Sequence, residues 1–229
     1  MSNAAAPALL SHFDDMRQQD ESTKIGMWTF LATEVMFFGG MFLAYILFRW
    51  KYHGPFAEGS TSLIMGAGFF NTFVLLCSSL SMALAVDDAK LGQVRPMIRN
   101  LIITMVLGTI FLGVKAYEYR TDYIEHLIPG LDFHPSPEHI NAADLPKVQL
   151  FFVLYFAMTG LHALHMVIGI TAIGILAYLV HKSKFADGTT VESLGLYWHF
   201  VDLVWVFLFP LLYLIDLNYQ VGPPHSGSH

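Results

Sequence analysis

Five long apolar runs constrain this chain more than any other feature of its sequence. Each run approaches or exceeds the roughly 20 residues that an α-helix needs to cross a bilayer, whereas a transmembrane β-strand needs about half that number. The predicted spans are 25–48, 63–86, 98–118, 149–181 and 194–216. The sequence therefore predicts an all-α integral membrane protein, built as a bundle of five transmembrane helices.

The composition agrees with a membrane protein and excludes several other classes. Hydrophobic residues make up 55% of the chain, charged residues make up 13%, and the mean hydropathy is +0.51, which is too apolar for an ordinary soluble domain. The net charge is -6 and no basic block is present, so we expect no nucleic-acid partner. Because Cys77 is the one cysteine, the chain has no internal disulfide and no cysteine-based zinc or iron–sulfur site.

An odd number of spans puts the two termini on opposite sides of the membrane. The side that carries the 1–24 tail holds seven basic residues, which are Arg17, Lys24, Lys90, Arg95, Arg99, Lys182 and Lys184. The other side holds four, which are Arg49, Lys51, Arg120 and Lys147. Since cytoplasmic loops carry an excess of Lys and Arg, we expect a cytoplasmic N-terminal tail and a periplasmic C-terminal tail, residues 217–229.

Glu34 is the one acidic or basic residue inside the first span. At about 1.5 Å per residue it lies roughly 13 Å from the start of that span, where an ionised carboxyl in hydrocarbon would cost several kcal/mol. We therefore expect Glu34 to contact protein, water or a polar lipid group, or to stay protonated. Two interpretations remain open: a functional acid within the membrane, or a neutral glutamate that is hydrogen-bonded between packed helices.

Further polar residues lie at membrane depth in the fourth and fifth spans. His162 and His165 are three residues apart and share a helix face, and His199 and Asp202 have the same spacing. A carboxylate beside an imidazole can fix its tautomer, as behind a metal ligand or in a proton relay. The three histidines with Glu34 also match a metal-binding set by residue type. Hydrogen bonding between helices, lipid or proton contact, and metal binding all remain open for this group.

Lys115 and Glu118 lie three residues apart near the outer end of the third span. The simplest interpretation is interfacial: the lysine reaches toward water, the glutamate is its partner, and Tyr117 and Tyr119 belong to an aromatic belt. This interpretation places both charged groups at the membrane surface.

Five segments, taken in order, resemble subunit III of the haem-copper respiratory oxidases. They are KIGMWTFLATEVMFF, NTFVLLCSSLSMALA, GTIFLGVKAYEY, TGLHALHMVIG and YWHFVDLVWVFLF, one in each span. The resemblance covers the chain from Lys24 to Leu214. Family members fold as bundles of seven helices, or of five where the first two are missing, and this chain resembles the five-helix form.

The resemblance implies an accessory role within an enzyme complex that reduces oxygen in aerobic electron transport. Family members hold no haem and no copper, so it implies no cofactor and no catalytic residue in this chain. Haem and copper would belong to partner subunits I and II. The resemblance also implies phospholipid bound between the helices, support for proton uptake and for lasting activity, and a place in the bacterial cytoplasmic (inner) membrane.

Particular residues carry this resemblance. Glu34 matches the family's buried glutamate, which reacts with carbodiimide and lies near a proposed oxygen route through lipid, and Glu118 with Tyr119 matches a family Glu-Tyr pair. Polar positions of the last two helices are matched by His162, His165, Trp198, His199 and Asp202. Two residues depart from the pattern. Thr33 replaces a common Ser and keeps the hydroxyl, whereas Lys115 replaces a common Gln and adds a charge.

Three classes of function remain open at this point. The first is an oxidase accessory subunit. Glu34 favours cytochrome c oxidase there, because quinol oxidase relatives often carry Asp at this position, and a quinol oxidase or nitric oxide reductase subunit is the alternative. The second is an independent proton or ion transporter that uses Glu34, although paired discontinuous helices and inverted repeats are not evident. The third is a membrane metalloenzyme built on His162, His165 and His199.

Overall fold

The computed structural model describes residues 15–130, 133, 144–183 and 188–215. These residues form six α-helices, which are α1 (Met16–Lys51), α2 (His53–Thr61), α3 (Met65–Lys90), α4 (Val94–Ile124), α5 (Leu145–Ser183) and α6 (Gly188–Tyr213). Within the described ranges there is no β-strand. All helices except α2 are long and apolar enough to cross a membrane. The predicted all-α bundle with five membrane-spanning helices is confirmed.

Helix α1 begins earlier in the sequence than the first predicted span, which starts at residue 25. Asp15 caps α1, because its side chain accepts a hydrogen bond of 2.7 Å from the backbone N–H of Gln18. A pair between Arg17 and Glu21 at 2.8 Å follows in the next turn. With 36 residues, α1 is roughly 54 Å long, so its polar start projects beyond a hydrocarbon core of about 30 Å. The predicted tail is therefore helical from Met16, and residues 1–14 lie outside the described part, as do residues 216–229 at the other end.

Helix α2 is an element that the apolar runs do not predict. Its nine residues are too few to span a membrane, yet Phe56 and Ala57 are fully buried. The Phe56 ring packs 5.5 Å from the ring of Tyr45 in α1 and 5.6 Å from that of Phe151 in α5. Helix α2 therefore packs against the end of the bundle at which α1 finishes and α5 starts.

The opposite end of the bundle is joined by a shared glutamate. Glu192, in the first turns of α6, lies 3.9 Å from Lys24 of α1 and 3.4 Å from Lys90 of α3. Nearby, α3 turns into α4 through Gly92, whose φ of 69° is easily adopted only by glycine. These contacts place the start of α1, the end of α3 and the starts of α4 and α6 on one side, so consecutive spans alternate in direction.

Trp198 of α6 occupies the centre of the packed helices. It is fully buried, and its indole N–H donates to the Ser78 hydroxyl of α3 at 2.9 Å. A Cβ added at Gly108 of α4 would lie 2.9 Å from the Trp198 ring, and one at Gly169 of α5 would lie 3.0 Å from it. The two glycines therefore make room for one large side chain between three helices.

Helix α1 packs less closely than the others. Its buried residues are Leu31, Phe38 and Tyr45, which are spaced seven apart and form one narrow stripe. Many of the other apolar side chains of α1 face outward, including Trp28, Met36 and Leu47. Glu34 lies beside this narrow stripe, so the packing of the stripe determines which groups the glutamate can contact.

Candidate functional site

Glu34 meets a histidine of another helix. Its Oε2 atom lies 3.3 Å from Nε2 of His165, so the contact joins α1 to α5. The other ring nitrogen of His165, Nδ1, lies 2.9 Å from the carbonyl oxygen of Leu161. Because a carbonyl only accepts, Nδ1 carries a hydrogen and donates it. Glu34 Oε2 itself is buried and has no hydrogen-bond partner among the described residues, so Nε2 of His165 is the nearby polar atom that the contact brings to it.

The Glu34–His165 pair is close to the surface of the bundle rather than sealed within it. The side chains retain 18% and 13% of their accessible surface. Phe38 packs edge-on against the His165 ring at 5.5 Å, and it also lines an apolar groove of about 240 Å³ between α1 and α6. The other residues that line this groove are Val35, Gly39, Phe42, Phe200, Leu203, Val204 and Phe207. An acid, an imidazole and an apolar groove thus lie side by side within the membrane.

His162 does not join this pair, although it is three residues from His165. It is 1% exposed, and its ring lies 5.4 Å from Phe111 of α4 and 5.2 Å from Trp205 of α6. Both ring nitrogens are buried and have no hydrogen-bond partner among the described residues. The two histidines therefore point to different neighbours, His165 toward α1 and His162 toward α4 and α6.

His199, but not Asp202, makes a hydrogen-bond contact with a serine of α3. The Ser79 hydroxyl lies 2.7 Å from Nδ1 of His199, whereas both carboxyl oxygens of Asp202 are buried without a hydrogen-bond partner among the described residues. A serine therefore stands where the spacing suggested a direct contact between imidazole and carboxylate. Together with the bond from Trp198 to Ser78, this contact joins α6 to α3 through consecutive serines.

Lys115 and Glu118 are buried inside the bundle, so the interpretation in which the lysine reaches toward water is wrong. They are 3% and 1% exposed, respectively. The Lys115 ammonium donates to Glu118 Oε2 at 2.8 Å, to the Tyr155 hydroxyl at 3.0 Å and to the Tyr213 hydroxyl at 3.0 Å. Neighbouring helices supply these two phenols, so the lysine has acceptors inside the bundle and has no need to reach water.

Aromatic rings complete the surroundings of Lys115. Its ammonium lies 5.2 Å from the Tyr119 ring centre and 5.4 Å from that of Trp205, distances at which a cation is attracted to a π-system. Tyr119 reaches α5 as well, because its hydroxyl lies 2.6 Å from the Thr159 hydroxyl. Tyr119 therefore takes part in an interhelical contact, whereas Tyr117 is exposed as a belt residue would be.

Sequence reasoning missed three members of this buried cluster. Asp122 is 3% exposed and follows Glu118 by four residues, so its position on the same helix face was a readable signal. Tyr155 and Tyr213 come from α5 and α6. No local pattern marks them, because only the tertiary packing brings them to Lys115.

Metal binding finds no support in the geometry of the described part of the chain. No group of three or more His, Cys, Asp or Glu side chains lies close enough there to hold an ion. His165 contacts Glu34, His162 lies among aromatic rings, and His199 contacts Ser79. The three histidines of the metalloenzyme hypothesis are thus held apart.

The fold and the site define an all-helical membrane subunit that has an intramembrane acid–imidazole pair and a buried ionic cluster. Comparison with known proteins agrees with this class. The family model described as cytochrome c oxidase subunit III matches residues 138–216.

Individual relatives match over most of the chain. A protein named cytochrome c oxidase subunit 3 from Alkalihalophilus pseudofirmus is 30% identical over 92% of this chain and 95% of its own length. One from Corynebacterium diphtheriae is 33% identical over 84% of this chain and 87% of its own length. A protein named probable quinol oxidase subunit 3 from Staphylococcus aureus is 28% identical over 90% of this chain and 96% of its own length.

The chain belongs to the cytochrome c oxidase subunit III family, and the resemblance drawn from its five segments is confirmed. It is an accessory subunit of a haem-copper oxidase, which is a multi-subunit oxidoreductase.

Proposed function

We propose that this chain is the non-redox subunit III of a proton-pumping cytochrome c oxidase in the bacterial cytoplasmic membrane. It would pack against subunits I and II, which hold the haem and copper, and would contribute no catalytic residue of its own. The main support for this role is the 3.3 Å contact between Glu34 and His165 beside an apolar groove. This arrangement offers an exchangeable proton and a place for apolar molecules in one region.

The groove between α1 and α6 is the proposed site for phospholipid and the proposed route for dioxygen. Its lining consists of aliphatic and aromatic side chains and a glycine, which suit an acyl chain or an apolar gas. Glu34 and His165 lie at its side, where they can meet a polar lipid group or a proton. Bound lipid would fill this groove along α1 and so prolong the activity of the complex.

The remaining polar residues are proposed to hold the helices together. Trp198 and His199 meet the serines of α3, Asp202 is buried on the same helix as these two, and Lys115, Glu118 and Tyr119 meet α5 and α6. His162 is proposed to serve the same packing through its contacts with aromatic rings. In a bilayer such contacts replace the hydrophobic driving force that packs soluble helices.

The proposed orientation has the N-terminus in the cytoplasm. Seven basic residues against four support it, because cytoplasmic segments carry the excess. A reporter fused after His229 should then behave as periplasmic, and one inserted at Gly92, in the turn between α3 and α4, should behave as cytoplasmic. The reverse pattern at both sites would overturn this orientation.

Purification in a mild detergent tests the proposed partners. A tagged full-length chain should co-purify with a large haem-containing subunit and a copper-binding subunit, and the complex should oxidise reduced cytochrome c. The relative in Staphylococcus aureus favours a quinol oxidase as the second candidate. A complex that turns over a quinol but not cytochrome c would select that candidate, and a chain that purifies alone from intact membranes would contradict both.

The cofactor proposal is tested on the chain after it is separated from its partners. We expect no haem absorption and less than one equivalent of copper, iron or zinc. One equivalent of metal that disappears in His162→Ala but persists in the surface variant His181→Ala would favour the metalloenzyme instead.

A further inference from the structure

Three ionisable side chains lie buried together on one face of α4. Lys115, Glu118 and Asp122 are each at most 3% exposed, and they follow one another at spacings of three and four residues. A net charge inside a helix bundle would cost several kcal/mol, so the protonation states of the three groups must balance. The hydrogen bonds show which group carries which charge.

The contacts around Lys115 match those of a charged ammonium. An ammonium has three hydrogens, and Nζ has three acceptors at 2.8–3.0 Å, which are Glu118 Oε2, the Tyr155 hydroxyl and the Tyr213 hydroxyl. Tyr213 in turn donates its own hydrogen to Glu118 Oε1 at 2.6 Å. Both oxygens of Glu118 therefore accept, which is the pattern of an ionised carboxylate.

Asp122 is the third member, and its surroundings differ. It is 3% exposed, and its Oδ2 atom is buried without a hydrogen-bond partner within the described ranges. Lys115 and Glu118 already cancel each other. An ionised Asp122 would leave one uncompensated negative charge in the interior, and two carboxyl groups that share one cation retain a proton between them.

We propose that the cluster of Lys115, Glu118 and Asp122 binds one exchangeable proton, which resides on Asp122. Nothing in this proposal depends on Glu34, so it stands or falls separately from the proposed function. It adds a second proton-binding position to the chain.

Other titratable side chains surround the cluster. They are Tyr119 on α4, Glu125 directly after α4, Tyr155 and His162 on α5, and Tyr213 on α6. Because α4 ends at Ile124, Asp122 lies in its last turn, near the exposed residue Glu125. This position near the end of the helix is where we expect the proton to exchange.

Infrared difference spectroscopy of the purified oxidase complex tests the proposal. The wild-type spectrum minus that of Asp122→Asn should show the C=O stretch of a protonated carboxyl, and this band should shift in D₂O. The matched control is Asp87→Asn, an exposed aspartate at the other end of the bundle, which should leave the band in place. Because Glu34 is present in both wild type and Asp122→Asn, subtracting one spectrum from the other cancels its contribution.

Several results would overturn the assignment. A band that Asp122→Asn leaves unchanged, or that Glu118→Gln removes while Asp122→Asn does not, would place the proton elsewhere. A band that does not respond to D₂O would show that the proton is not exchangeable. Should Asp122→Asn fail to assemble, Asp122→Glu provides an independent test. This variant keeps the carboxyl but moves it by one methylene, so the band should shift in frequency, and an unshifted band would contradict the proposal.

Discussion

Two acids at membrane depth, Glu34 and Glu118, have opposite surroundings. Glu34 meets one histidine at 3.3 Å, keeps 18% of its surface and lies beside an apolar groove. Glu118 is 1% exposed, and both of its oxygens accept hydrogen bonds from Lys115 and Tyr213. From this comparison we expect Glu118, whose bonds are all made, to serve the fold, and we expect Glu34, with one contact and a partly exposed side chain, to be available to a proton, a lipid or a reagent.

The difference follows from where each helix lies in the bundle. Helix α4 has neighbours that bring phenols and an indole to Lys115 and Glu118, so the charges are compensated inside protein. Helix α1 is held by a narrow stripe, and its glutamate lies 3.3 Å from one imidazole of α5. We therefore expect changes at the α4 cluster to affect stability and changes at Glu34 to affect performance.

The largest expected effect on stability comes from removing the buried ammonium of Lys115. Lys115→Met leaves Glu118 uncompensated and should lower the free energy of unfolding by about 3–5 kcal/mol, as seen when one partner of a buried ion pair is deleted. The control is Lys24→Met, whose half-exposed contact with Glu192 should contribute only about 0–1 kcal/mol. Thermal unfolding of the complex in mild detergent, followed by loss of helicity, measures both. Equal effects of the two variants would refute the distinction between the regions.

Chemical labelling should separate the two acids next. A hydrophobic carbodiimide attacks a protonated carboxyl in apolar surroundings, so it should modify Glu34 before Glu118 and before the loop acids. Glu118 is 1% exposed and therefore closed to the reagent, and both of its oxygens already accept hydrogen bonds. Mass spectrometry of the digested subunit would locate the adduct. Preferential labelling of Glu118 would reverse the comparison.

Two tyrosine-to-phenylalanine variants provide a smaller, matched test. Tyr213→Phe removes a bond of 2.6 Å to an ionised carboxylate and should cost about 1.5–3 kcal/mol. Tyr197→Phe removes a bond of 3.0 Å to the backbone carbonyl of His165 and should cost about 0.5–1.5 kcal/mol. Urea or thermal unfolding of both variants under the same conditions decides the order. A larger loss for Tyr197→Phe would mean that the contact between α5 and α6 near Glu34 contributes more to stability than the α4 cluster does.

The sequence predicted the spans because hydropathy and length alone decide whether a helix can cross a bilayer. It did not predict α2, whose nine residues fold against Tyr45 and Phe151 through contacts that no local pattern contains. It misplaced Lys115, because a spacing of three residues shows which side chains share a face but not whether that face meets lipid or protein. Glu34 was recognisable as a single acid in an apolar run, yet its partner His165 is supplied by packing.

The most direct test of the accessory role is the initial turnover of a complex that carries Glu34→Gln. This substitution keeps the size and hydrogen-bonding capacity of the side chain but removes its exchangeable proton. The control is Glu21→Gln on the exposed start of α1. We expect both variants to assemble with normal haem spectra and near-normal initial oxygen reduction, and we expect Glu34→Gln to lose activity sooner during turnover or to pump fewer protons. Abolished initial electron transfer in a fully assembled Glu34→Gln complex would contradict the account and place Glu34 on an obligatory proton path.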